Sequence, residues 1–215
     1  MNTLRKLSAS TALVLAGLAV VAVAPAAASL NTEMCKANEI KCSVENRYTP
    51  TLAAVVNSGT KIPTATKFSL SGGATFQCGG SVFEGWEYTH SGGALKGAKS
   101  FFAFNSCTEG WALNPDKHEG YATEIRAVGS GNGTMSILGS PTLIAESATL
   151  KCLYSPIAKA LEFAITGGEP AKMTASINLE KKAGSSLACA SKAILTGTYE
   201  AFTFGHASPT LFITE

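Results

Sequence analysis

Residues 171–180 read Ala-Lys-Met-Thr-Ala-Ser-Ile-Asn-Leu-Glu. Ala171, Met173, Ala175, Ile177 and Leu179 fall on one side, and Lys172, Thr174, Ser176, Asn178 and Glu180 on the other. Only a pleated strand turns its side chains over at every residue, so this stretch predicts a half-buried β-strand. Just upstream, Leu161, Phe163 and Ile165 alternate with Glu162, Ala164 and Thr166. Gly167-Gly168-Glu169-Pro170 lies between the two runs and predicts a four-residue hairpin loop. The same period recurs more weakly over 51–56, 65–70, 74–78, 81–88, 98–104, 121–128, 133–138, 142–154, 192–204 and 210–213. Turn residues separate these runs: Asn57-Ser58-Gly59, Ser71-Gly72-Gly73, Gly79-Gly80, Ser91-Gly92-Gly93 and Gly129 to Gly133. A single helical turn is expected over Ala94 to Ala98, and no amphipathic helix of ten residues is found. The fold class that follows is all-β: an antiparallel β-sandwich or barrel-like single domain. Two small sheets divided near 114–120 are the alternative.

Six cysteines pin that fold: Cys35, Cys42, Cys78, Cys107, Cys152 and Cys189. They allow 15 pairings. Cys35 and Cys42 flank a short polar segment, Cys78 and Cys107 end neighbouring strand patterns, and Cys189 follows a Gly184-Ser185-Ser186 turn. Sequential pairing therefore closes the shortest loops, as 35–42, 78–107 and 152–189. Zinc sites need thiols two to four residues apart, and no spacing here is that short. No C-x-x-C redox pair occurs either, so no metal is expected.

The N-terminus sets the compartment. Arg5 and Lys6 precede an uncharged apolar run from Thr11 to Ala24, and Ala26 and Ala28 give the small-x-small pattern of a cleavage site. The run has 14 residues, short of the roughly 20 that span a bilayer. Residues 1–28 are thus read as a signal peptide and 29–215 as a secreted β-rich domain, released without membrane insertion. An even set of thiols in an exported chain fits an oxidising compartment.

Without Arg5 and Lys6, the 17 basic residues fall to 15 and balance the 15 acidic ones. A neutral chain lacks the basic surface that displaces counterions from phosphates, so no nucleic-acid partner is expected.

Candidates for chemistry are few. His90 precedes Ser91, but neighbours on a strand face opposite ways. Asp116 and His118 share a polar turn and could be two members of a triad, though no G-x-S-x-G motif accompanies them. His206, between Gly205 and Ala207, reads as a loop residue. Glu162 and Glu180 fall on adjacent polar faces, where solvation explains them. Asn132-Gly133-Thr134 matches a glycosylation sequon and is read as a turn.

Aromatics give the binding candidates. Val82, Glu84, Trp86 and Tyr88 are expected on one face of a strand, an amphipathic platform of the kind that holds sugars or peptides. Trp111 follows a glycine in a loop and is the third candidate. The ordinary reading of both tryptophans is as core anchors.

Several short stretches carry a resemblance. Cys35-Lys36-Ala37-Asn38-Glu39, Cys42, Asn46-Arg47-Tyr48, Ser106-Cys107-Thr108, Cys152-Leu153-Tyr154-Ser155 and Thr198-Tyr199-Glu200 are among them. Together they resemble a group of small secreted actinobacterial proteins. The resemblance spans most of the expected mature chain and implies secretion, disulfides and a β-rich domain. It brings no activity and no cofactor to any residue.

The function expected from the sequence is a non-catalytic binding or cell-envelope-associated module, with a cell-wall polymer or extracellular protein as partner. The alternatives are an extracellular hydrolase of envelope polymers, or an inhibitor presenting a pinned loop such as residues 108–120.

Overall fold

A computed structural model describes residues 31–49, 51–56, 65–203 and 210–215, with the backbone alone for 53–56. The signal-peptide reading, the Asn57-Ser58-Gly59 turn and His206 lie outside the described residues. In chain order the strands are β1 (Glu33–Cys35), β2 (Leu52–Val56), β3 (Thr66–Leu70), β4 (Thr75–Ser91), β5 (Ala94–Cys107), β6 (Ala112–Pro115) and β7 (Thr123–Gly129). They continue with β8 (Asn132–Ile137), β9 (Leu143–Glu146), β10 (Lys151–Pro156), β11 (Leu161–Thr166), β12 (Lys172–Lys181), β13 (Lys192–Phe202) and β14 (Phe212–Thr214). A 3-10 turn spans Val44–Asn46.

Every ladder is antiparallel, and the main ones close on themselves. Pairing runs from β4 through β5, β7, β8, β11 and β12 to β13. It returns to β4 through β2 and β3, which share the gap between β13 and β4. β3 meets Ala193–Thr196 and Thr75–Cys78, while β2 meets Glu200–Phe202 and Ser81–Gly85. The result is barrel-like, with eight positions around the ring. Closure removes the open edges that would invite pairing with other chains.

An eight-position barrel is just wide enough for side chains to fill it. Here Phe83 sits among Phe163, Tyr199, Phe104 and Phe102 at ring-centroid distances of 4.6, 5.0, 5.6 and 6.0 Å. Three buried hydroxyls pair among themselves: Thr66 Oγ1 lies 2.7 Å from Ser81 Oγ and 2.9 Å from the Tyr199 hydroxyl. Burial lifts the Tyr199 phenol above its ordinary pKa and keeps it neutral.

β10, β9 and β6 form a flap that leaves the ring where Tyr154–Pro156 pair with Leu179–Lys181. The flap packs back through Tyr154, 5.6 Å from Phe68, and Trp111, stacked 4.9 Å from Phe76. At the other end, the β1–β14 ribbon buries Met34, Leu211 and Ile213 and is held by Ile213 N–H donating to the Gly131 carbonyl.

The three disulfides pair as the spacing predicts: Cys35–Cys42, Cys78–Cys107 and Cys152–Cys189. Cys78 and Cys107 are directly opposite each other on β4 and β5.

Four expectations are corrected. Gly79-Gly80 is no turn: β4 runs through it, with Gly80 paired to Asn105. The buried side chains shift there from Phe76 and Cys78 to Ser81 and Phe83, and glycines permit such a bend inside a strand. Ala94 to Ala98 is strand, drawn into the β4 and β7 ladders rather than a helical turn. The 142–154 stretch, expected as a single bent strand, instead splits into β9 and β10, which pair with each other. Residues 112–115, expected in a loop, form β6 and pair with β9, so a strand interrupts the 108–120 stretch.

Candidate functional site

A filled barrel leaves recognition to its outside. The outer face of β12 and β13 is polar by construction: Lys172, Thr174, Ser176, Asn178 and Glu180 point out while Met173, Ala175, Ile177 and Leu179 point in. Ile194 breaks that rule. It lies in the outward register of β13, opposite Asn178 on β12 and Ser69 on β3, and is 42% exposed. A second aliphatic side chain joins it. The turn after β10 is pinned by Ile157 N–H donating to the Asn178 carbonyl at 3.1 Å, and by Lys159, at φ 62°, closing onto the Pro156 carbonyl. This pinning holds Ile157, 49% exposed, over β12 beside Ile194.

The two isoleucines flank a groove of about 770 Å³, floored by β12 and β13 and walled by the ends of β3, β11 and the 157–160 turn. Two other depressions, near 130 and near 175, measure about 370 and 400 Å³. The groove is mostly apolar, with Ser69, Ser176 and Asn178 offering hydrogen bonds and Glu162 and Lys192 supplying opposite charges at its sides. Ligand sites commonly combine an apolar lining with a few placed polar groups in this size range. Nothing in the lining pairs a nucleophile with a base.

The aromatic candidates are not brought together. Trp86 points outward, half-buried, opposite Lys99. Tyr88, expected on the same face, is turned inside instead, with 8% exposure. The cause is Glu87, whose φ of 59° reverses the side-chain alternation. A non-glycine residue in that region costs roughly 1 kcal/mol. Glycines make room for the buried ring. A Cβ on Gly85 would sit 2.1 Å from the Tyr88 hydroxyl, and one on Gly97 would sit 2.9 Å from its ring. Trp111 lies near the opposite end of β4, its ring 3° from parallel with that of Phe76. The three therefore form no common platform.

Glu84 keeps the outward face beside Trp86, and partial burial raises its carboxyl pKa above the ordinary 4.5. The folded state thus holds that proton more tightly than the unfolded chain. Ionised Glu84 costs stability at neutral pH, and the cost disappears as pH falls through the folded pKa. Glu84→Gln is expected to melt at a higher temperature than the parent at pH 7, with the gap closing below pH 4.5 in parallel thermal scans.

The other polar candidates serve the scaffold. The Asp116 carboxylate accepts from the Tyr121 hydroxyl at 2.6 Å and from Thr142 N–H at 3.0 Å. The His118 ring stacks 6.2 Å from Phe101, with Nδ1 3.4 Å from the Phe102 carbonyl. His90 Nε2 lies 3.2 Å from the buried Glu33 carboxylate, which also meets Arg47. Among the described residues no group of three or more His, Cys, Asp or Glu is arranged to hold a metal, and no helix is long and apolar enough to cross a membrane.

Sequence reasoning passed over Ile157 and Ile194. The signal for Ile194 was present: an isoleucine in the outward register of an otherwise polar strand face. Ile157 carried none, because its position depends on a turn folding back over β12. No protein-family model, curated protein or solved structure matches this chain.

Proposed function

We propose that this protein is a secreted, non-catalytic binding module whose ligand seats in the β12–β13 groove. The observation that carries the reading is exposed Ile194 standing in an otherwise polar sheet face, with exposed Ile157 in the turn after β10 lining the same groove. An apolar patch in a concave, pre-formed site marks a recognition surface. The disulfides support an oxidising, extracellular setting, where they hold the groove's scaffold in shape. The ligand class is a segment of an envelope polymer or of an extracellular protein, with an apolar portion against the isoleucines and polar groups toward Asn178, Glu162 and Lys192.

The test is a binding screen of the oxidised protein against soluble cell-wall fragments and culture-medium proteins, repeated with Ile194→Asp. A charge placed in the apolar floor is expected to weaken binding at least tenfold while leaving the melting temperature within about 2 °C. Binding that Ile194→Asp leaves intact, but that Trp86→Ala abolishes, would transfer the site to the β4 outer face and end the groove reading.

A further inference from the structure

The hollow face does not end at Ile194. The outward side chains of β12, β13, β3 and β4 stand in transverse rows set by the ladders. One row holds Asn178, Ile194, Ser69 and Thr75. The next holds Ser176, Thr196, Lys67 and Gln77, and beyond it Thr174 faces Thr198. Ser69, Ser176, Asn178 and Ile194 belong to the groove. Lys67, Gln77, Thr174, Thr196 and Thr198 line the depression of about 400 Å³ near 175. The two hollows are therefore consecutive along the strands. From Lys192, in the groove, to Thr198, in the second hollow, is six residues of β13, or about 20 Å at the rise of an antiparallel strand.

The charges of this face gather at its two ends. Glu180 stands opposite Lys192 at the groove's outer end, and Lys172 stands opposite Glu200 past the second hollow. Opposite charges set across a ladder stabilise each other. In the three rows between them Lys67 is the single charge, and the rest are hydroxyls, carboxamides and Ile194. Threonine suits any solvated strand, but asparagine is depleted from strands, and Asn178 stands exposed well inside β12. Hydroxyls and carboxamides both donate and accept hydrogen bonds. Rows of them match a ligand whose own groups do both, and they call for no charge on it.

The same geometry argues against a polypeptide. Strand addition needs a free sheet edge, and along the groove β13 is paired on both sides, with β12 and β3. A docked helix needs apolar anchors repeated along its length, and Ile157 and Ile194 both stand in the groove, with no aliphatic partner in the second hollow's outward rows.

We propose that the ligand of the groove is an uncharged linear glycan that runs along β12 and β13 through both hollows. This rests on the groove being a binding site. The two isoleucines take the C–H face of one sugar, and the hydroxyl and carboxamide rows bond the hydroxyls of the sugars that follow.

The test is an array of immobilised uncharged linear glycans probed with the oxidised protein, then calorimetric titration with a length series of the glycan that binds. Affinity is expected to rise with oligomer length and to level off once both hollows are spanned. Ile194→Asp is expected to abolish binding at every length. Thr174→Glu, at an exposed position of the second hollow, is expected to weaken long oligomers about tenfold and to leave the shortest binding oligomer at the parent's affinity. Both variants should match the parent by circular dichroism. Short and long oligomers that bind alike would overturn the extended track and leave the groove reading standing. A parent that binds no glycan at millimolar concentration overturns the proposal, and the groove reading survives that result if a culture-medium protein binds through Ile194. Glycan binding indifferent to both substitutions overturns the two together.

Discussion

Phe83→Ala is expected to cost about 4 kcal/mol of folding free energy and roughly 10–15 °C in melting temperature. Phe83 has no exposed surface and meets four aromatic rings contributed by β5, β11 and β13. Its removal leaves a void in the centre of a closed ring. The ring resists collapse because every wall strand is hydrogen-bonded on both sides. A value well inside the 3–5 kcal/mol range for Phe→Ala, rather than its lower end, therefore applies. Urea titration followed by tryptophan fluorescence and by far-ultraviolet circular dichroism checks this. Both probes should move together, since Trp86 and Trp111 report from opposite ends of β4. A loss under 1.5 kcal/mol, or a transition split between the probes, would mean that the barrel interior is not one packed unit.

Removing the Cys152–Cys189 bridge by double alanine substitution carries the second large effect, about 4 kcal/mol on the chain-entropy model for a separation of 37 residues. The bridge ties β10, the root of the flap, to the segment leading into β13. The ring strands pair with β10 through Tyr154–Pro156, and the segment after β12 adds Lys182 N–H donating to the Leu153 carbonyl and Ser186 N–H to the Lys151 carbonyl, contacts that the bridge keeps in place. The matching double substitution of Cys35 and Cys42, separated by 7, should cost about 2.4 kcal/mol. Melting of the two variants under oxidising conditions checks the order. If the 35–42 variant were the less stable, local contacts rather than loop closure would govern these bridges.

Much of the fold was legible because its signals are local. The 161–180 hairpin stands where the alternation put it, with Phe163 against Ala175 across the ladder. The three disulfides follow from which strand ends lie near each other in sequence. Closure of the barrel was not legible, since it depends on β2 and β3 sharing one gap between strands far apart in the chain. Neither was the fate of Tyr88: alternation put it beside Trp86, and one left-handed residue, Glu87, reversed it. Gly79-Gly80 misled in the other direction. Glycine pairs mark turns and strand bends alike, and only the partner strand decides between them. The groove was half legible, through Ile194 and not through Ile157. A strand pattern specifies which way a side chain points, but not which distant turn folds over it.

The most direct measurement of the account is a methyl-resolved nuclear magnetic resonance titration of the isoleucine-labelled protein with whichever fragment or protein the binding screen recovers. The groove account predicts that the Ile157 and Ile194 methyl signals shift together and saturably, while the barrel-interior Ile125, Ile137 and Ile165 signals hold still. Shifts that spare Ile157 and Ile194 and gather instead around Trp86 would contradict it.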